Sequence, residues 1–482
     1  MSIDLTLPAH RLLALLTSRQ ISAREVVDAT LARIETINPR LNAIIAVDAK
    51  GAIDAAERID AARRKGEDMA PLAGLPVTIK DAFDVAGFAT VAGVEALKEN
   101  RPATDAVSVA RLRAAGTIII GKTNVPPMSG DFQTCNPVFG TTSNPWKRTH
   151  TPGGSSGGAA AAIAAGLSAL ELGSDLGGSI RWPAHACGIF GLKPTQGIIP
   201  ATGGVPPAPG TPATPNIRIA SPGPLARSAK DLAHGLQVMA GPEEDALVLK
   251  LPRFKAHGLK GKRIAMLTAH PLAPTQRAIQ AGVVSAGAAL ASAGAVVEEI
   301  DDLPASLSNI HRLFTTLMMA LVTLDFSEKL KVFLREKAKT IAPDDPSGEA
   351  GQARGAALDF AGWMQAEGER ARMEAAMKVF FQRYDAILCP PATTLAFAHD
   401  HGPFNSRTFD IDGTARPHGD FSAWSSIAGL LRLPAVVAPV GMHDGLPHGV
   451  QIIAAPYHDL KAIGIAGIVE KHLGGARTPP LP

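Results

Sequence analysis

Residues 149–166 read THTPGGSSGGAAAAIAAG: four glycines and two serines fill positions 153–158, and an alanine-rich apolar run follows directly. A backbone this permissive beside two hydroxyls fits phosphate cradling, a strained nucleophile turn or plain helix capping. Phosphate cradling in a P-loop requires Lys and then Ser or Thr after the last glycine, and Ala159 and Ala160 stand there. A dinucleotide fingerprint requires a strand just before its glycines. Residues 144–152, NPWKRTHTP, carry two prolines instead, which disfavours a strand. Gly153-x-Ser155-x-Gly157 matches the G-x-S-x-G nucleophile elbow in letters, but that elbow also joins a strand to a helix. A glycine loop capping an alanine helix accounts for the same residues without any chemistry.

The neighbouring segments narrow the choice. Residues 172–195, LGSDLGGSIRWPAHACGIFGLKPT, place Gly177 and Gly178 directly before a further serine, Ser179. Glycines let backbone N–H groups converge on one point, as an oxyanion hole requires. A helix of about 11 residues after Gly157 would run about 16 Å. A return strand of about 5 residues, ALELG at 169–173, would cover about 16 Å back, so Ser155 and Ser179 are expected side by side. Upstream, LAGLPVTIKDAFDVAG gives a β-type run over Val77–Ile79 with Lys80 and Asp81 at its end. A helix over about 105–115 leads to GTIIIGKTN, a continuous apolar strand of the kind buried in parallel sheets.

Alternation continues along the rest of the chain. ISAREVVDATLARIETI opens with Ser22 and Glu25 at capping-box spacing and then sets Val27, Leu31 and Ile34 on one helical face. NAIIAV (42–47) reads as a strand and 48–66 as an amphipathic helix stopped by Gly66. KRIAMLT (262–268), a helix over about 275–293 and AVVEEI together read as a βαβ unit. Segments of about 305–340 and 355–383 read as helical, followed by strands at AILCP, LPAVVAPVG and HGVQIIA and a helix over about 459–472. The proline-rich stretch 200–216 reads as a long loop. Strands alternating with helices argue an α/β fold with helices on both faces of one sheet, and no linker divides the chain.

Composition bounds the function. The chain has 482 residues, 46% hydrophobic and 19% charged, with a net charge of +3, which is globular and argues against a nucleic-acid partner. The three cysteines, Cys135, Cys187 and Cys389, form no CxxC pair or disulfide framework, so a cytoplasmic location is expected. The opening MSIDLTLPAHRLLALL has no basic segment followed by a long apolar run, so no signal peptide is expected. The apolar stretch from Gly153 to Leu170 is rich in Gly, Ser and Ala and stops at Glu171, which favours a buried helix over a membrane span.

With GLPVTIKD, GKTNVP, TPGGSSGGAAAAIAAG, GSDLGGSIRWPA, GLKPT, SPGPLARSAKDLA and GLPHGVQII in this order, the chain resembles the amidase signature family over most of its length. The resemblance implies one α/β domain, 1–482, with a mixed central sheet covered by helices. Its catalytic core would occupy about 66–240, and about 255–482 would complete the sheet and substrate pocket. It implies a Ser–Ser–Lys triad in which Lys80 is the base, Ser155 the bridging serine and Ser179 the nucleophile, with a cis peptide bond between Gly154 and Ser155. Backbone N–H groups of Leu176, Gly177, Gly178 and Ser179 would form the oxyanion hole, and Met128, Ser129 and Gly130 would line the acyl pocket. No cofactor and no metal are implied.

The chemistry stands without the resemblance. A serine hydroxyl is a weak nucleophile and needs a base. Lysine serves only when neutral, which requires lowering a pKa of ~10.4 through burial, and Lys80 ends an apolar strand. His150 and His185 sit in no triad order. Asp175 and Arg181 are expected to pair and shape the loop between them. Cys187 reads as a small buried residue and His399–Asp400–His401 as loop residues, since no third ligand completes a metal sphere.

The expected function is amidohydrolysis of apolar, aryl-bearing amides through an acyl-enzyme, with carbamates or esters as further substrates. The small-molecule substrate is the expected partner, with no nucleic acid, no membrane and a homo-oligomer allowed. Two alternatives remain. A glutaminase subunit of a tRNA-dependent amidotransferase is disfavoured by WSSIAGLLRLPAVVAPVG (424–441), which replaces the usual asparagine-containing segment. A non-catalytic binding homologue would lack Lys80, Ser155 or Ser179, and all three are present. The apolar segment 313–326 is expected to border a cavity and Trp424 to wall it.

Overall fold

A computed structural model describes residues 3–204, 220–243, 249–254 and 259–481. Among the described residues one eleven-stranded sheet organises the chain. Its strands are β1 (Ile44–Val47), β2 (Pro76–Lys80), β3 (Ile118–Thr123), β4 (Leu170–Asp175), β5 (Phe190–Lys193), β6 (Ser221–Ala226), β7 (Arg263–Met266), β8 (Val296–Glu299), β9 (Ala386–Cys389), β10 (Ala435–His443) and β11 (Leu446–Ile453). They lie in the order β1-β3-β2-β4-β6-β5-β10-β11-β9-β7-β8. The sheet is mixed: β3, β2 and β4 run parallel, β9, β7 and β8 run parallel, and antiparallel pairs join the two blocks. The fold is therefore a single α/β domain. Strands from both halves share the sheet, with β5 pairing β10 through Ala435 and Lys193.

Local sequence accounts for most of these elements. The Ser22 hydroxyl accepts from Glu25 N–H at 3.1 Å and Glu25 returns the bond to Ser22 N–H at 2.8 Å, starting the helix Ala23–Leu41. The βαβ unit is present as β7, the helix Arg277–Ser292 and β8. Burial follows sheet position, since β2, β4, β5 and β6 are buried throughout whereas the edge strand β8 has no buried residue.

Other elements differ from the sequence reading. The helix after the glycine–serine loop is Gly157–Ala164, a turn shorter than expected, because Gly166 turns the chain at φ +69°. The helical stretch 305–340 divides into Leu307–Val322 and Glu328–Ala338, where the Ser327 hydroxyl caps the second helix. Asp359 likewise caps Phe360–Arg383 and separates it from Gly348–Ala357. SPGPLA, with Pro222 and Pro224, forms β6 inside the sheet. This is feasible because β5 pairs only with Leu225 and Ala226, so neither proline faces a second ladder. In the loop 200–216, residues 205–216 lie outside the described residues.

The largest core joins Leu75 and, on β2, Val77 and Ile79 to Leu172, Leu192, Val436 and Ile452. Opposite it, Ala159, Ala160 and Ile163 pack on Ile180, Leu225 and Val437. All eight residues of the helix Gly157–Ala164 are buried, so its small side chains let it sit against the sheet on every side.

Candidate active site

Lys80 ends β2, and parallel pairing with β4 sets Thr78 opposite Glu171. Past that register, Lys80 Nζ reaches Ser174 Oγ at 2.9 Å and donates to Ser155 Oγ at 2.7 Å. The lysine is wholly buried. Burial lowers its pKa to about 7, although the Asp175 and Glu171 carboxylates pull the other way. Glu171 is also buried, which pushes its carboxyl up to about 8 even though Thr78 and Thr123 donate to it, the latter at 2.8 Å.

The glycine–serine loop brings Ser155 to the lysine. Gly153 has φ +88°, and a Cβ there would stand 2.7 Å from Pro183 Cα, so only glycine fits. A Cβ on Gly154 would meet the Asp131 carbonyl at 2.5 Å. The Gly154–Ser155 peptide is cis. Thr134 Oγ1 staples the loop, donating to the Gly153 carbonyl at 2.9 Å and accepting from Gly157 N–H at 3.2 Å.

Ser179 lies beside this loop: its carbonyl accepts from Ser156 N–H at 3.2 Å. It is 8% exposed, and its hydroxyl has no hydrogen-bond partner among the described residues. Asp175 shapes the connection before it. One carboxylate oxygen accepts from Gly178 N–H at 3.0 Å and the other from Ile180 N–H at 3.1 Å, while Arg181 pairs with both at 2.8 and 2.9 Å. Burial alone would raise the Asp175 pKa, but the Arg181 guanidinium outweighs it and holds the group at about 2. The N–H groups of Leu176, Gly177 and Ser179 have no acceptor among the described residues, whereas that of Gly178, at φ +109°, is taken by Asp175.

Met128, Ser129 and Gly130 form a turn with φ +49° and +59° at the first two residues. They precede Asp131 and Phe132, whose backbone lies against Gly154. Of the segment 313–326, residues up to Leu317 are buried and Met318–Leu321 only partly so. Met318 Sδ lies 3.5 Å from where a Gly177 Cβ would be. Trp424 does not wall a cavity. It is fully buried, and its indole N–H donates to Thr275 Oγ1 at 2.8 Å, because its bulk completes a core cluster behind the site. Cys187 donates to the Pro152 carbonyl at 3.4 Å, and burial pushes its thiol pKa up. The His399 and His401 rings stack at 5.9 Å.

Four polar residues at the site escaped the sequence reading. Ser174 and Glu171 share β4 with Asp175, and the parallel register with VTIK is the signal that could have found them. Ser425 Oγ donates to the Gly177 carbonyl at 2.8 Å and Gln451 Oε1 accepts from Arg181 Nη1 at 2.8 Å. Both lie far along the chain, inside the stretches WSSIAGLL and GLPHGVQII, whose letters give no sign of what these two side chains touch.

The amidase family profile matches residues 25–462. The chain belongs to the amidase signature family. The indoleacetamide hydrolase of Bradyrhizobium diazoefficiens is 34% identical over 465 residues, spanning 96% of this amidase and 85% of that protein. A glutamyl-tRNA(Gln) amidotransferase subunit from a Synechococcus strain is 33% identical, spanning 96% and 95%. Among solved structures, a bacterial aryl acylamidase of the same family superposes with a TM-score of 0.78 at 27% identity, over 97% of this chain and 96% of that one. The chain is thus an amide-cleaving hydrolase of the amidase signature fold. No described helix is long and apolar enough to cross a membrane.

Proposed function

We propose that this amidase hydrolyses apolar, aryl-bearing amides through an acyl-enzyme on Ser179, with Ser155 and Lys80 as its proton relay. The observation that carries this reading is the 2.7 Å contact between Lys80 Nζ and Ser155 Oγ in a wholly buried setting. A lysine near pKa 7 is neutral in about half the molecules at neutral pH, and its lone pair then takes the Ser155 proton. Ser155 in turn accepts the proton of Ser179 as that oxygen attacks the substrate carbonyl.

The tetrahedral oxyanion meets the unpaired N–H groups of Leu176, Gly177 and Ser179, with Gly178 anchoring the loop. Reversal of the relay protonates the leaving amine as the C–N bond breaks. Water then attacks the Ser179 ester, the relay takes its proton, and the acid leaves. A carbamate fits the same steps, giving a carbonate ester on Ser179 when the amine departs and a carbamoyl-enzyme when the alcohol does.

Met318, whose sulfur lies by Gly177, and Met128, just ahead of the stretch 131–133 that backs Gly154, are taken as the apolar surface for the substrate. Two similar proteins, the indoleacetamide hydrolase and the aryl acylamidase, are named for aryl-bearing amides and support the same reading. The amidotransferase relatives keep a glutaminase reading as the second one. On this reading the core at about 66–240 holds the chemistry, the half at about 255–482 completes the pocket, and three cysteines without a disulfide suit a reducing cytoplasm.

The test compares kcat/KM for a 4-nitroanilide, an aryl carbamate, acetamide and glutamine with the wild-type chain and Ser179→Ala. The anilide should lead, and Ser179→Ala should be inert while remaining folded. A lead for glutamine or acetamide above about tenfold, roughly 1.4 kcal/mol, would remove the apolar-substrate reading. Turnover by Ser179→Ala would remove the nucleophile.

A further inference from the structure

The peptide group between Gly177 and Gly178 is held at both ends. Its carbonyl accepts from Ser425 Oγ at 2.8 Å, and its N–H donates to Asp175 Oδ1 at 3.0 Å. The C=O and N–H of a trans peptide point in opposite directions, so these two bonds together fix the rotation of the plane. That restraint matters here, because a plane between two glycines meets little steric resistance to turning over.

Ser425 is itself fixed. It lies in the buried helix Ala423–Leu430, and its hydroxyl proton is shared with the Ser422 carbonyl at 2.9 Å. Its own carbonyl accepts from Arg181 Nη1 at 2.9 Å, and Arg181 closes the ring by pairing with Asp175. The same Nη1 donates to Gln451 on β11. A ring of hydrogen bonds therefore runs from Asp175 through Arg181, Ser425 and the Gly177–Gly178 peptide back to Asp175. The carboxyl-terminal half supplies the member that grips the carbonyl.

We propose that Ser425 is a positioning residue for amide hydrolysis: its hydroxyl holds the Gly177–Gly178 peptide so that the flanking N–H groups of Gly177 and Ser179 stay turned toward the oxyanion. The proposal rests on the reading of Leu176–Ser179 as the oxyanion loop. It predicts a loss confined to the tetrahedral state, since Ser425 is directed at the loop and not at Lys80.

The test uses Ser425→Ala and Ser425→Cys in the full chain, the cysteine keeping the side-chain volume with a weak donor. Steady-state kinetics on a 4-nitroanilide are measured beside inhibition by phenylboronic acid, which forms a tetrahedral adduct on a serine. Both variants should lose roughly 10- to 100-fold in kcat with KM within about twofold, a fraction of what deleting an oxyanion donor costs. Phenylboronic acid should weaken by the same factor, and the apparent pKa of the rate profile should not move. Unchanged kcat and boronate affinity in a folded Ser425→Cys enzyme would overturn the proposal. So would a fall in kcat without a matching fall in boronate affinity, which marks mere loosening. Turnover by Ser179→Ala overturns the acyl-enzyme reading and the proposal with it, and that control separates the two failures.

Discussion

The segment Thr151–Thr195 and the two helices Glu328–Ala338 and Phe360–Arg383 treat their side chains in opposite ways. In the first, every residue but Leu176 is buried. In the second, the helix Glu328–Ala338 buries Leu334 alone and the helix Phe360–Arg383 buries four residues. Lys80, reached from this segment by Ser155 and Ser174, is wholly buried, and the segment that encloses it has no free face. A surface helix needs one apolar face and can leave Phe360 81% exposed. Leu176, the single break in the buried run, is also the first residue of the proposed oxyanion loop.

Lys80→Ala would break the comparison most severely, with an expected loss of at least about 10²-fold in kcat/KM in a folded protein. In the intact enzyme the sign of the pH effect follows from the same burial. A base lowered to about 7 is protonated and inactive below that value, so the rate should climb about tenfold per pH unit up to pH 7 and level off above it. Stopped assays from pH 5 to 9, with folding checked by circular dichroism, measure this. A steady fall from pH 6 to 9 would exclude the neutral-lysine base.

Ile163→Ala, in the fully buried helix, is expected to cost about 2–5 kcal/mol of unfolding free energy. Phe360→Ser, on the exposed helix, should stay within about 0.5 kcal/mol. Urea midpoints of the two variants compare the regions directly, and equal shifts would deny that they differ.

Met318→Ala tests the border between the regions. We expect about a tenfold drop in kcat/KM for an aryl anilide, roughly 1.4 kcal/mol, with acetamide within about twofold and the unfolding midpoint nearly unmoved. An equal drop for both substrates would deny Met318 a part in selecting them.

What the sequence revealed follows the same division. Lys80, Ser155 and Ser179 stand out because glycines, serines and a strand-ending lysine leave local marks, whereas the roles proposed for them rest on the resemblance to the family. Ser174 needed the register between β2 and β4, and Ser425 and Gln451 needed contacts across more than half the chain. Trp424 was misplaced because a large aromatic ring looks alike whether it walls a cavity or fills a core; its bond to Thr275 decides the matter. The prolines of β6 concealed a strand whose second edge is only partly paired. The breaks at Ser327 and Asp359 were written in capping residues, but continuous apolar spacing on both sides masked them.

The seam between β5 and β10 has a consequence for how the enzyme comes into being. A chain leaves the ribosome amino end first, at about 5–20 residues per second. Lys80 and both serines therefore emerge long before β10, Ser425 and Gln451 exist to enclose them. Until those arrive, β5 has a bare edge and Arg181 lacks two of its acceptors. The enclosure of Lys80 and the two serines is thus completed only once residues 425–453 have been made.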